Sequence, residues 1–273
     1  LYKQKGMAEL IPISSLDDPR VAPYRDLVHS RDARASGLFV AEGEKLTQRL
    51  LESSFETVSV LLAERFVERV ASALPAHVPV FVVSDELIRE IVGFNFHRGV
   101  MACGRRRLAA RLEDVVLPRE APKGLLVCPT PNDPENLGGI IRSAAAFGVD
   151  ALLISDSSID PFSRRVLRVS MGAAFKLPII ESNRLLADVR RLTHDWNVTA
   201  FATVLADDAE PLSTIQPPFR WALVLGSEGE GLSPEWIAAC ARQATIPMRR
   251  RVDSLNVSVA AGVFLHHFSE TRR

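Results

Sequence analysis

The sequence predicts an α/β protein of two domains, a smaller α/β domain at the N-terminal side and a larger one built on a mostly parallel sheet. Three observations predict it. Short apolar runs of strand length alternate with helical stretches along the chain, the pattern of sheets covered by helices. A polar, proline-containing stretch, RRRLAARLEDVVLPREAPKG, interrupts that alternation around residues 105–123. And 273 residues suffice for two ordinary domains.

In the first domain, residues 7–107, strand-like runs at 38–41, 58–62, 80–83 and 99–103 are separated by helical stretches at 43–51, 64–71 and 85–91. A linker over 108–122 follows. In the second domain, 123–273, the strand runs are 125–128, 151–155, 177–180, 198–204 and 222–225, with helices between most of them, as a parallel sheet covered on both faces requires. Ligands of such sheets bind outside the carboxyl ends of the strands, so the loops there are the places to look for chemistry.

Composition narrows the function classes. With 47% hydrophobic and 24% charged residues the chain is neither disordered nor a coiled coil. No apolar run approaches the ~20 residues that cross a bilayer, and LYKQKGMAEL lacks a signal-peptide core, so a cytoplasmic location without membrane contact is expected. Residues 1–6 are set aside because Met7 resembles a natural start. Cys103, Cys128 and Cys240 lack CxxC spacing and read as buried thiols; no His, Cys or carboxylate cluster has ligand spacing, so no metal is expected. Net charge is zero, from 33 basic and 33 acidic residues, so any polyanion partner must be met by local clusters. Such clusters stand at residues 105–107, at Arg164, Arg165 and Arg168, and at 249–251; each also fits a plain solvated face.

Three loops of the second domain are unusual. In the first, NDPENLGGIIR, Asp133 is a plausible N-cap with Pro134 at the first helical position, which leaves Asn132, Asn136 and Arg142 unexplained. Its glycines cost helix stability and permit close approach of a backbone or ligand. In the second, LGSEGEGLS, a strand runs into glycines spaced GxxGxG around Glu228; a dinucleotide fingerprint has a different spacing, and a tight turn with a solvated acid is the simpler alternative. In the third, Ile246-Pro-Met248 leads to SLNVSVA, where Ser254 or Asn256 either caps the apolar last helix or belongs to a rigidly held site.

Taken in series, NDPENLGGIIR, LGSEGEGLS and IPM with SLNVSVA resemble the three motifs of the SpoU (TrmH-like) RNA 2′-O-ribose methyltransferases, and Ser170-Met171-Gly172 is similar too. The first domain looks like the RNA-recognition domain of ribosomal-protein L30e type that many members carry. The resemblance implies a deep C-terminal trefoil knot, otherwise almost absent from protein topologies. It implies S-adenosyl-L-methionine as cofactor, held by Thr203, Gly226, Glu228, Gly229, Ile246, Met248, Leu255 and Ser258. Asn136, Arg142, Glu228, Ser254 and Asn256 would face the ribose, and Arg31, Arg34, Arg105, Arg106, Arg165 and Arg250 would meet RNA. A homodimer through the knotted domain is implied, with Arg142 of one subunit serving the other. The chain departs from the family where Arg250 replaces a usual glycine; an outward-facing phosphate contact is the expectation.

The implied activity is 2′-O-ribose methylation of a structured RNA, ribosomal rather than transfer RNA. Alternatives are a catalytically silent RNA-binding protein and a methyltransferase acting on a base nitrogen. Arg142 is proposed as general base in the family, against a guanidinium pKa above ~12; gripping phosphate or acidifying the hydroxyl electrostatically is the other role open to it.

Overall fold

The structure, a computed structural model, describes residues 8–25, 34, 36–93, 96–107, 110–118, 120–227, 229–250 and 253–269. These fall into two units. One holds the described residues up to Arg107 together with Phe162–Phe175, and the other holds those of Leu108–Pro161 and Lys176–Arg273.

The first unit contains β1 (Leu10–Pro12), β2 (Leu38–Glu42), α1 (Glu44–Leu51), β3 (Thr57–Ala63), α2 (Val67–Val70), β4 (Val80–Val83), α3 (Asp85–Val92) and β5 (Val100–Arg105). Its sheet has the order β1-β4-β3-β5-β2, with β5 antiparallel to β3 and β2 and the other pairs parallel. Local chemistry sets the helix ends. Ser84 Oγ accepts from Leu87 N at 3.1 Å, Asp85 and Glu86 favour the first turn, and Gly93 stops α3 at φ 74°. The helix expected over 64–71 is instead a four-residue helix flanked by 3-10 turns; only Val70 and Ala71 of that stretch are buried, so little packing supports a longer one.

The segment Phe162–Phe175, which the sequence assigns to the second domain, packs in this unit. Phe39, Phe55, Phe162 and Phe175 form a ring cluster with centroids 5.2–5.9 Å apart. Glu42, 5% exposed, takes Arg164 at 2.7 Å and Arg98 at 3.6 Å, so the buried carboxylate is paired.

The second unit runs through α4 (Leu112–Val116), β6 (Lys123–Cys128), α5 (Pro134–Ala146) and β7 (Ala151–Ser155). After α6 (Arg164–Val169), which lies in the segment just described, come β8 (Ile179–Ser182), α7 (Leu185–Trp196), β9 (Thr199–Thr203) and β10 (Glu210–Pro211). The chain ends through β11 (Arg220–Val224), α8 (Pro234–Ala239), β12 (Arg242–Thr245) and α9 (Val257–Ser269). The sheet order is β10-β12-β9-β11-β6-β7-β8 and every pairing is parallel. Strand β8 begins later than its apolar run because Pro178 has no N–H for the ladder, although its carbonyl accepts from Leu152 N at 2.9 Å.

The expected linker is not a plain connector. It carries α4, whose Leu112 and Val116 are buried in one cluster with Val127, Val189 and Leu192. The buried Arg220 guanidinium fixes the chain after α4 by donating to the carbonyls of Val116 at 2.6 Å, Ala121 at 2.9 Å and Pro118 at 3.1 Å. On α9, Phe268 meets Phe201 and Trp221 edge-on at 5.0 and 5.2 Å, which accounts for the apolar last helix. Among the described residues no helix is long and apolar enough to cross a membrane.

Candidate functional site

The carboxyl ends of β6, β11 and β12 carry the three loops. At the first, Asp133 Oδ1 accepts from Glu135 N at 2.7 Å and Asn136 N at 2.9 Å, with Pro134 at the first helical position, and so places Asn136 in the opening turn of α5. At the third, Asn256 rather than Ser254 caps the helix. Its Oδ1 accepts from Ser258 N at 2.9 Å, Ser258 Oγ at 2.6 Å and Val259 N at 3.3 Å. That leaves its Nδ2 to donate to Asn136 Oδ1 at 2.8 Å, across 120 residues of chain.

This bond orients both amides. Asn256 cannot turn over without facing its amide hydrogens at the helix N–H groups, so Asn136 must present its oxygen to Asn256 and keep its Nδ2 for another acceptor. Backbone packing supports the contact. A Cβ on Gly139 would lie 2.9 Å from Ser258 Cβ, and Gly262 faces Ser143, so α5 and α9 meet through small residues. Close helix approach is the answer to the glycine of the first motif.

The second loop is held by Ser227 and Gly231, which exchange backbone hydrogen bonds of 3.1 and 3.0 Å. A Cβ on Gly226 would come 2.5 Å from the Gly231 carbonyl carbon, so this position has room for glycine alone. Leu225 N donates to Val127 O at 2.9 Å and carries the ladder into the loop. Between the loops lies a cavity of about 20 Å³, lined among others by Asn132, Asp133, Asn136, Gly226, Ser227 and Val257. That volume suits one water or hydroxyl group and no nucleobase. Cys128 also lines it, but burial pushes its thiol up to about 12, so it is neither nucleophile nor base at neutral pH.

Three neighbouring strands place further predicted residues. Thr203 ends β9 and donates from Oγ1 to Val224 O at 3.0 Å; Gly226 follows β11; Ile246 follows β12. Ile246 and Met248 are half-buried, whereas Gly229, Ser254 and Leu255 are exposed. Arg142 is exposed and does not line the cavity: six residues beyond Asn136, it projects from α5 about 120° away from it around the helix axis. Arg250 is exposed with φ 57°, a left-handed backbone that favours the family's glycine. Glu228 and Arg31 lie outside the described residues.

In the first unit, Arg105 Nε bonds Glu56 at 2.8 Å, Arg106 lies 5.2 Å from the Phe162 ring centroid, Arg165 is exposed on α6, and Arg34 is half-buried. Asn132, singled out in the first loop, and Ser227, inside the second motif, line the cavity without having been assigned a role; their place within the motifs is their sequence signal. Among the described residues no group of three His, Cys, Asp or Glu side chains is placed to hold a metal ion.

Residues 124–266 match the model of the SpoU rRNA Methylase family. The chain is 31% identical to an uncharacterized tRNA/rRNA methyltransferase of Mycobacterium bovis, over 90% of this chain and 87% of the relative. It is 30% identical to a 23S rRNA (guanosine-2′-O-)-methyltransferase of Acinetobacter baylyi, over 84% and 96%. The crystal structure of an AdoMet-bound rRNA methyltransferase from Sinorhizobium meliloti superposes with a TM-score of 0.80 at 27% identity, covering 96% of this chain and 98% of that one.

Proposed function

The chain belongs to the SpoU rRNA methylase family, and from that premise we propose that it methylates ribose 2′-oxygens of ribosomal RNA with S-adenosyl-L-methionine. The observation that carries the reading is the Asn256–Asn136 bridge, which joins the first and third motifs beside a hydroxyl-sized cavity. RNA, not DNA, is the substrate because only RNA has the 2′-hydroxyl.

The residues fit the cofactor. Gly226 closes a turn too tight for any side chain and leaves backbone groups as the polar contacts, while half-buried Ile246 and Met248 supply apolar walls. Thr203, Glu228, Gly229, Leu255 and Ser258 complete that pocket. When bound, S-adenosylmethionine supplies an electrophilic methyl on a sulfonium. The chain's own work is positioning: Asn136 donates from Nδ2 to a ribose oxygen, Asn256 holds Asn136 in that orientation, and Ser254 aligns the sugar. The guanidinium of Arg142 has donors and no acceptor, so it clamps phosphate and stabilises the developing alkoxide rather than taking a proton. With the cofactor bound, the ribose oxygen that Asn136 and Ser254 hold would take the methyl from the sulfonium, and the hydroxyl proton would pass to solvent.

Residues 7–107 act as the RNA-recognition domain, with Arg34, Arg105, Arg106, Arg165 and, from the second unit, Arg250 meeting RNA. The C-terminal segment forms the trefoil knot; support comes from α9 returning from the distant strand β12 to pack on α5, the helix after β6. The protein works in the cytoplasm as a homodimer. Val259 and Val263, one turn apart on α9, are 52% and 40% exposed, and Leu255 just before the cap is 36% exposed; this apolar patch is suited to a second copy that would receive Arg142. Sedimentation tests this, and a monomer at micromolar concentration would defeat it.

The decisive experiment is transfer of tritiated methyl groups to ribosomal RNA followed by digestion to nucleosides. Label in 2′-O-methyl nucleosides is expected. Label on a base, or no transfer, would overturn the reading in favour of a base methyltransferase or a silent binder. Arg142→Lys, at saturating RNA in single turnover, should lose most of the rate with little loss of RNA affinity.

A further inference from the structure

We infer that the phenylalanine cluster of the first unit is a stacking platform for unpaired RNA bases, an inference that rests on the methyltransferase reading and names how its RNA is held. The cluster has a buried floor and a partly open top. Phe39 and Phe175 are 2% and 6% exposed and stack at 5.6 Å, whereas Phe55 and Phe162, 5.5 Å apart, are half-buried. Gly104 leaves space for the Phe39 ring across β5, because a Cβ there would penetrate it.

Each open ring carries a guanidinium. Arg107 lies 4.9 Å from the Phe55 centroid and Arg106 lies 5.2 Å from that of Phe162. Arg107 is also tied to the Ser54 carbonyl, and it makes no ion pair with a carboxylate among the described residues. A guanidinium fixed by a ring and a carbonyl has already lost its rotamer freedom, so a base that stacks on the plane does not have to order it. Core packing alone explains Phe39 and Phe175. It does not explain a guanidinium placed over each of the two half-buried rings.

The chemistry selects RNA in single-stranded form. Bases present π-faces only when unstacked, and Phe and Arg planes bind them without regard to sequence. Backbone charge is met alongside. Helix α6 starts two residues after Phe162 and exposes Arg165 and Arg168, three apart on one face. A duplex would engage those arginines through phosphate and leave the rings unused.

The test uses the full chain, an unstructured 12-nucleotide RNA and a blunt duplex of the same sequence, with binding read by fluorescence anisotropy across a salt series. Phe55→Leu/Phe162→Leu should weaken single-strand binding about 10-fold, a fraction of the usual stacking contribution of two bases, with duplex binding and the salt slope unchanged. Unchanged S-adenosylmethionine affinity reports an intact second unit. Arg107→Lys, at an exposed position, should weaken single-strand binding several-fold at constant slope because lysine keeps charge and loses the plane. Equal losses on both RNAs, or none, overturn the inference. Methyl transfer by the wild type is measured in parallel: its absence defeats the activity, whereas an active wild type with unaffected variants defeats the platform alone.

Discussion

Exchanging Asn256 for aspartate and for alanine separates its two jobs. Asn256→Ala removes three contacts to the first turn of α9 and the bond to Asn136. An N-cap contributes about 1 kcal/mol and one further net hydrogen bond about 1 kcal/mol, so the loss is about 2 kcal/mol. In a domain of this size that lowers Tm by about 4–8 °C. Asn256→Asp keeps an oxygen for the helix N–H groups and adds a negative charge at the helix N-terminus, which offsets much of the loss. Its carboxylate faces Asn136 Oδ1, however, so the Asn136 amide turns over and directs an oxygen where Nδ2 had pointed. A donor becomes an acceptor. The aspartate variant should unfold within about 1 kcal/mol of wild type yet lose about 10²-fold in single-turnover rate, the scale of a lost preorganised donor. Calorimetry paired with the rate at saturating RNA reads both quantities. An aspartate variant as unstable as the alanine one, or one with the wild-type rate, would refute the argument.

Gly139→Ala gains about 1 kcal/mol of helix propensity but drives a Cβ to 2.9 Å from Ser258, an overpacking that costs about 1–3 kcal/mol, so Tm should fall; a rise would show that α9 yields freely. Arg250→Gly relieves a left-handed arginine and should raise stability by up to about 1 kcal/mol, while RNA binding weakens and its log–log salt slope becomes shallower by about 0.7 to 0.9; an unchanged slope would remove Arg250 from the phosphate contacts. Burial pushes the thiols of Cys103, Cys128 and Cys240 up to about 12. The unfolded chain therefore releases these protons first, so their contribution to stability is complete below about pH 8.5 and declines as pH rises towards 12. Denaturant midpoints at pH 8 and 10 measure the decline, and alkylation of Cys103 or Cys128 in the folded protein at pH 8 would contradict the burial.

Local signals made much of this legible. Asp133 before Pro134 marked the start of α5, and Asn256 stood among two candidate caps for α9, because capping is chemistry between near neighbours. Strands β1, β10 and β12, two to four residues long, are too short to show alternation, and β12 reads RQAT with no apolar run. Long-range pairings left no pattern. Nothing near Arg220 announces that its guanidinium will bind three carbonyls about 100 residues earlier, and nothing near Phe162 that it will join rings from β2 and the turn before β3. The resemblance supplied the three motifs of the site; the contact that orders two of them, Asn136 with Asn256, needed coordinates.

A chain with 33 basic and 33 acidic residues has little long-range attraction for a polyanion, so RNA must be held by contacts that act at short range. Some of its arginines are already committed. Arg105 is paired with Glu56 and Arg164 with Glu42, and a phosphate reaching either must compete with a carboxylate at 2.7–2.8 Å. Phosphate contacts therefore contribute less than the number of arginines suggests, and what they contribute falls with salt. Stacking on Phe55 and Phe162 is not screened. In a protein balanced in this way, the salt-resistant part of RNA affinity belongs to the rings, and the discrimination between open and paired RNA belongs there with it.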